Sequence, residues 1–193
     1  MLPFGVFITG VGGQGILLAS EILSDVALAA GKDVKKSEVH GMAQRGGTVV
    51  CAVRFGEKVY SPVIAEAEAD VILSFEMMET LRNIKFASPN AKIIASKRKI
   101  PPAAVSMGET TYPDDIEDRI KTKYPDALLI DAQKIAIEAG SVKADNVVLL
   151  GALSNHLPFS DDIWEKAIAG RVPPKTIDIN MKAFALGKAA TNK

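Results

Sequence analysis

The chain has one cysteine and two histidines in 193 residues. A single thiol excludes an internal disulfide framework and a self-contained four-cysteine zinc or iron–sulfur site. Cys51 sits in the apolar run Val49-Val50-Cys51-Ala52-Val53, where free cysteine is expected to act as a small core residue. Net charge is also lacking, because 23 basic residues cancel 23 acidic ones. A neutral chain has no electrostatic footprint for nucleic acid, and near-zero charge favours association with other proteins. No apolar run approaches the ~20 residues a membrane span needs. No basic segment precedes the short apolar run at the N-terminus, as a signal peptide would require. These absences point to a cytoplasmic protein with neither membrane nor nucleic acid as partner. HExxH, Gly-x-x-x-x-Gly-Lys-Ser/Thr and an ordered Ser/His/Asp set are missing too. No metal site and no complete catalytic apparatus is legible in this chain by itself.

What is present reads as one α/β domain over residues 1–193. Apolar residues make up 48% of the chain, enough to bury a core and to exclude disorder. The apolar run Phe4 to Thr9 predicts a buried parallel strand. It enters Gly10-Val11-Gly12-Gly13-Gln14-Gly15. Glycine first permits a tight turn, glycine second lets a ligand or another backbone approach, and glycine third lets a helix pack on the strand. Ile16, Ala19, Leu23, Val26 and Ala30 then recur at helical spacing, and Gly31 stands where a left-handed cap is wanted.

Downstream, Lys32 to Val39 is too polar for a central strand and reads as an edge strand or extended loop. Thr48 to Phe55 reads as a strand, with Lys58 to Ile64 as its hairpin partner across a turn at Gly56-Glu57. Further strands are expected over 69–75, 91–95 and 127–131, and helices over 77–84, 114–123, 132–139, 146–156, 161–169 and 179–190. Residues 97–125 carry the prolines and the least pattern. The alternation predicts a three-layer, Rossmann-like domain with a mainly parallel, mixed sheet and one β-hairpin.

Two stretches could carry chemistry. The glycine turn offers backbone N–H groups at a helix N-terminus, an anion site in the manner of a dinucleotide fold. That reading needs an acidic residue closing the second strand. Asp33 and Glu38 stand 18 and 23 residues beyond Gly15, but neither ends a convincing buried strand. The other reading is a strand–helix turn in which glycines serve packing alone. The second stretch is His40-Gly41-Met42-Ala43-Gln44-Arg45-Gly46-Gly47, whose polar members suit a carboxylate or phosphate. His40, Gln44 and Arg45 are the catalytic candidates. Gly10, Gly12, Gly13, Gln14, Gly15, Gly46 and Gly47 frame loops that face a cofactor or a partner. His156 and Lys97-Arg98-Lys99 read as structural and solvated, respectively. Glu76 follows a strand and is either a cap or part of the same cleft.

The two linked motifs, with Asn146 to Leu153, Pro173-Pro174-Lys175 and Asn180 to Gly187, resemble the gamma domain of 2-oxoacid:ferredoxin oxidoreductases over nearly the whole chain. The His40 to Gly47 version is most similar to that of the indolepyruvate branch. The resemblance implies a subunit, inactive alone, of an enzyme that oxidatively decarboxylates an arylpyruvate to an acyl-CoA. Coenzyme A and ferredoxin are then co-substrates of the complex. Thiamine diphosphate, magnesium and iron–sulfur clusters are implied on the larger alpha subunit; this chain has no Gly-Asp-Gly for a magnesium diphosphate. A gamma subunit acting with pyruvate, 2-oxoglutarate or 2-oxoisovalerate, and a free-standing dinucleotide-binding protein, are the alternatives.

Overall fold

The computed structural model describes residues 3–41 and 47–191. Six strands form one sheet: β1 (Phe4–Val11), β2 (Asp33–His40), β3 (Thr48–Gly56), β4 (Ala69–Ser74), β5 (Ala87–Ser96) and β6 (Leu128–Ile130). Their spatial order is β2-β3-β1-β4-β5-β6. β1, β4, β5 and β6 are mutually parallel, and β3 alone runs against its neighbours. β1 and β4 are buried along nearly their whole length, as their unbroken apolar runs require. Successive residues of β1 feed opposite faces. Val6 and Ile8 point into a large core, and Phe7 into a smaller one.

The larger core is roofed by α1 (Ile16–Ala29) and, later in the chain, by α5 (Ala132–Ala139), α6 (Asp145–Ser154), α7 (Asp161–Arg171) and α8 (Ile177–Ala189). Between them α2 (Met77–Asn83), the short α3 (Ala103–Ser106) and α4 (Ile116–Lys123) follow β4 and β5. Residues of α2 and α4 cover the smaller core. The architecture is thus the expected three-layer α/β arrangement with a mixed sheet. α6 is unusual in being buried at all ten positions, so its sequence shows no polar stripe. Gly151 of α6 and Gly187 of α8 permit this, because each helix runs its backbone into the other's glycine.

The hairpin stands elsewhere than the sequence suggests. Residues 58–64 form no strand. β3 pairs instead with β2, in register from Asp33↔Gly56 to His40↔Val49. Val59 and Ile64 are buried as plugs against the sheet, so their apolarity reflects packing rather than a ladder. Asp33 anchors this excursion. It accepts from the Val59 N–H at 2.9 Å and from Lys35 Nζ at 2.7 Å, with Lys58 Nζ 3.6 Å away. The Lys35 hydrogen bond and the Val59 N–H bring its carboxyl from an ordinary 3.8 to about 2. A carboxyl with a depressed folded pKa adds stability above its unfolded value and loses it as the pH falls through the folded one. Asp33→Asn should therefore flatten the fall in melting temperature between pH 3.8 and about 2. An unchanged acid limb would contradict the assignment.

Candidate functional site

β1 ends at the sheet's centre. Next to it in space the chain turns outward to β3 on one side and to β4 on the other, so a crevice opens at the carboxyl ends of β1 and β4. The glycine turn fills that position. Gly15 caps α1 with φ 75°, Gly13 has φ 94°, and a Cβ on Gly13 would meet nothing within 4 Å among the described residues. Gly10 and Gly15 are packed instead. A Cβ on Gly10 would meet Gln14 Oε1 and Phe75 Cβ at 2.8 Å, and one on Gly15 would meet Asn146 Nδ2 at 2.5 Å. Gly10 and Gly15 thus admit no side chain, while Gly12, Gly13 and Gly15 all line one cavity.

Gln14 takes a different role from the one its place in the motif suggests. It is buried; its Oε1 accepts from the Val11 N–H and its Nε2 donates to the Phe75 carbonyl, both at 2.7 Å. The side chain is a strut between the ends of β1 and β4. Glu76 is likewise committed. It caps α2 through the Glu79 N–H, and its other oxygen accepts from the Ile100 N–H at 3.0 Å and from Tyr112 Oη at 2.6 Å. Burial and the adjacent Glu76 carboxylate push the Tyr112 phenol well above its usual range, so it stays a proton donor.

The second glycine segment lies against the first. The Gly12 N–H donates to the Gly47 carbonyl at 3.0 Å. His40, Val49 and Gly10 occupy matching positions on β2, β3 and β1, which puts His40 two strand spacings, roughly 10 Å, from Gly10. A cavity of about 660 Å³ opens there, lined by Gly12, Gly13, Ile16, Leu17, His40 and Val49 among others. His40 is half exposed, with Nε2 3.8 Å from Glu38 Oε2, and Glu38 is drawn below the usual carboxylate range mainly by Lys36. Gln44, Arg45 and Gly46 lie outside the described residues. His156, by contrast, is packed, and burial lowers its pKa.

The same geometry weighs against a dinucleotide. β1 has β3 and β4 as neighbours, and the strand carrying Asp33 and Glu38 lies beyond β3. Asp33 opens that strand rather than closing it, and both acids are tied to lysines. Among the described residues no acid on β2 stands where a ribose beside the turn would be held.

A second groove, on the other side of the turn, has no counterpart in the sequence pattern. Arg98, read as part of a solvated run, folds back so that its carbonyl accepts from the Met77 N–H. Its guanidinium reaches Asp145 at 3.1 Å. Burial raises the Asp145 carboxyl pKa, and Arg98 opposes the rise. Gln14, Arg98, Gln133, Lys143 and Asn146 share a space of about 390 Å³ beside Gly13 and Gly15. Only their tertiary proximity reveals it, since they lie up to 132 positions apart, from 14 to 146.

Residues 5–190 match the model of the family described as pyruvate ferredoxin/flavodoxin oxidoreductase. The chain belongs to that family. Among its relatives, a protein of Thermococcus kodakarensis named indolepyruvate oxidoreductase subunit IorB is 46% identical, covering 100% of this chain and 98% of its own. In fold, the keto/oxoacid ferredoxin oxidoreductase gamma subunit of Geobacter sulfurreducens superposes with a TM-score of 0.72 at 20% identity, over 97% of this chain and 98% of that one. The 2-oxoglutarate:ferredoxin oxidoreductase of Magnetococcus marinus, solved with 2-oxoglutarate, coenzyme A and succinyl-CoA bound, gives 0.75 at 21% identity. It covers 99% of this chain and 31% of that longer one. The family's oxidoreductase fold is therefore the frame in which the glycine turn has to be read.

Proposed function

We propose that this chain is the small, IorB-type subunit of an indolepyruvate:ferredoxin oxidoreductase. The observation that carries the reading is the 46% identity to such a subunit across the whole of both chains. The Gly12–Gly47 hydrogen bond supports it, since it joins the two glycine motifs into one surface. In this reading the larger alpha subunit supplies the redox groups. The donor set here suits none of them: the single thiol, Cys51, is fully buried within β3. Among the described residues no three of His, Cys, Asp or Glu converge on a metal-sized site. Thiamine diphosphate with its magnesium, and the iron–sulfur clusters, then belong to the partner, where they decarboxylate the 2-oxoacid and pass electrons to ferredoxin.

This chain's own contribution is positional. Gly13 presents an open backbone at the positive end of α1, suited to a negatively charged group or a carbonyl brought by the partner or by coenzyme A. His40 stands across the cavity from Gly13, and Gln44 and Arg45 follow it in the chain. The Ile16, Leu17 and Val49 side chains keep one wall of that space apolar.

The test is co-expression with the alpha subunit and assay of viologen reduction with indolepyruvate, pyruvate, 2-oxoglutarate and 2-oxoisovalerate in turn. Turnover that requires both chains and prefers indolepyruvate is expected. Preference for one of the other three acids would move the chain to a different branch of the family.

A further inference from the structure

The groove beside Gly13 and Gly15 has an unused set of donors. Asn146 is only 4% exposed. Its Oδ1 accepts from the Val147 N–H, while its Nδ2 has no hydrogen-bond partner among the described residues and lies against Gly15 at the groove. The amide reaches the open groove and is a donor available to an acceptor there. Lys143 is exposed at the groove's edge and forms no ion pair among the described residues. Arg98 lines the floor, and its one ionic partner, Asp145, is already engaged by it. The start of α1 adds the positive end of a fourteen-residue helix. The groove is therefore net cationic in a chain with no net charge.

Its rim is of the opposite character. Val142 lines the groove and is 44% exposed, and Ile137, one helical turn beyond the groove residue Gln133, is 64% exposed. A small anion would satisfy the donors and leave these two side chains in water. A protein segment with a carboxylate flanked by apolar residues would satisfy both. We infer that this groove is the seat of such an acidic-apolar segment of the large subunit, with the carboxylate on Lys143 and Asn146 and the apolar flanks on Val142 and Ile137. The inference rests on the reading of the chain as an oxidoreductase subunit. It assigns the contact surface to the side of the glycine turn away from His40.

The experiment is titration of the chain against its tagged large subunit. Lys143→Glu should weaken association about 10-fold, and Ile137→Asp with Lys143→Glu about 100-fold, in line with losing a central charge pair and an apolar anchor. Lys166→Glu, on the exposed face of α7 and away from the groove, should leave the affinity unchanged. Both altered positions are exposed, so thermal melts of the variants should match the parent. Wild-type affinity in the double variant would overturn the docking surface while leaving the subunit assignment intact. Failure of the parent chain itself to associate would contradict the subunit assignment, and the docking surface with it. A third arm adds inorganic phosphate to the isolated chain. Thermal stabilisation that Lys143→Glu abolishes, with subunit affinity unaffected, would make the groove a small-anion site and overturn the inference.

Discussion

Gly187→Ala is expected to cost about 3 kcal/mol or more, the upper end of what overpacking of a core costs. At about 2–4 °C per kcal/mol for a chain of this size, the melting temperature falls by at least ~6 °C. A Cβ at this position overlaps the Val148 carbonyl and lies 2.9 Å from Val148 Cα. The reciprocal contact, Gly151 against the Phe184 carbonyl, makes Gly151→Ala equally damaging. What is struck in both cases is backbone, which cannot rotate away as a side chain can. The helices must separate, and α6 is packed on every side. Gly170→Ala is the control. It lies in helix α7 with nothing within 4 Å of the added carbon, so it should be neutral or gain up to ~1 kcal/mol from helix propensity. Thermal melts of the three variants decide the matter. Equal effects at Gly170 and Gly187 would mean that the crossing tolerates a methyl group.

Gln14→Leu is the second large effect, and it separates two roles for the most prominent motif in the chain. The substitution leaves the Val11 N–H and the Phe75 carbonyl unpaired in a buried setting. Each orphaned group costs about 1–3 kcal/mol, so a loss of about 2–5 kcal/mol is expected, read as a melting temperature lower by roughly 5–15 °C. A Gln14 that served mainly to contact a ligand would behave in the opposite way, with an unchanged melt and a fall in activity of the assembled enzyme. The structure favours the strut, because both polar ends of the amide are already occupied within the chain.

How far such roles can be read from the sequence depends on whether the signal is local. β1, α1 and α5 were legible because each is set by its own residues: an unbroken apolar run, apolar side chains at helical spacing, and Gly31 and Gly140 at the exits. The β2–β3 hairpin was not. A glycine-bearing pair at Gly56-Glu57 looks like a tight turn, whereas the real connection runs through the longer segment after His40. Beyond Gly56, Val59 and Ile64 are buried without joining a ladder, while Tyr60 and Val63 are exposed. β5 also begins earlier than its apolar part, at Ala87, where Ser88 to Asn90 give no hydrophobic signal.

The candidate site divides along the same line. That the two glycine segments meet was inferable from their shared composition, and the Gly12–Gly47 hydrogen bond joins them. The division of labour among the glycines was not inferable. Gly10 and Gly15 are packed by Phe75 and Asn146, residues distant in sequence, whereas a Cβ on Gly13 would meet open space; Gly12, Gly13 and Gly15 all line the cavity. Arg98 and Lys143 were hidden for the same reason. A basic residue in a proline-rich stretch carries no mark of where the chain returns it, and only the Met77–Arg98 backbone hydrogen bond and the Asp145 pairing bring it to the groove.

The central claim is that this chain completes a 2-oxoacid:ferredoxin oxidoreductase without carrying its redox groups. The most direct measurement purifies the large subunit alone and adds this chain back in increasing amount, following indolepyruvate-dependent reduction of ferredoxin or viologen. Negligible turnover is expected from either chain by itself, with activity that rises with added chain until the two are stoichiometrically matched. Full activity from the large subunit before any of this chain is added would contradict the claim.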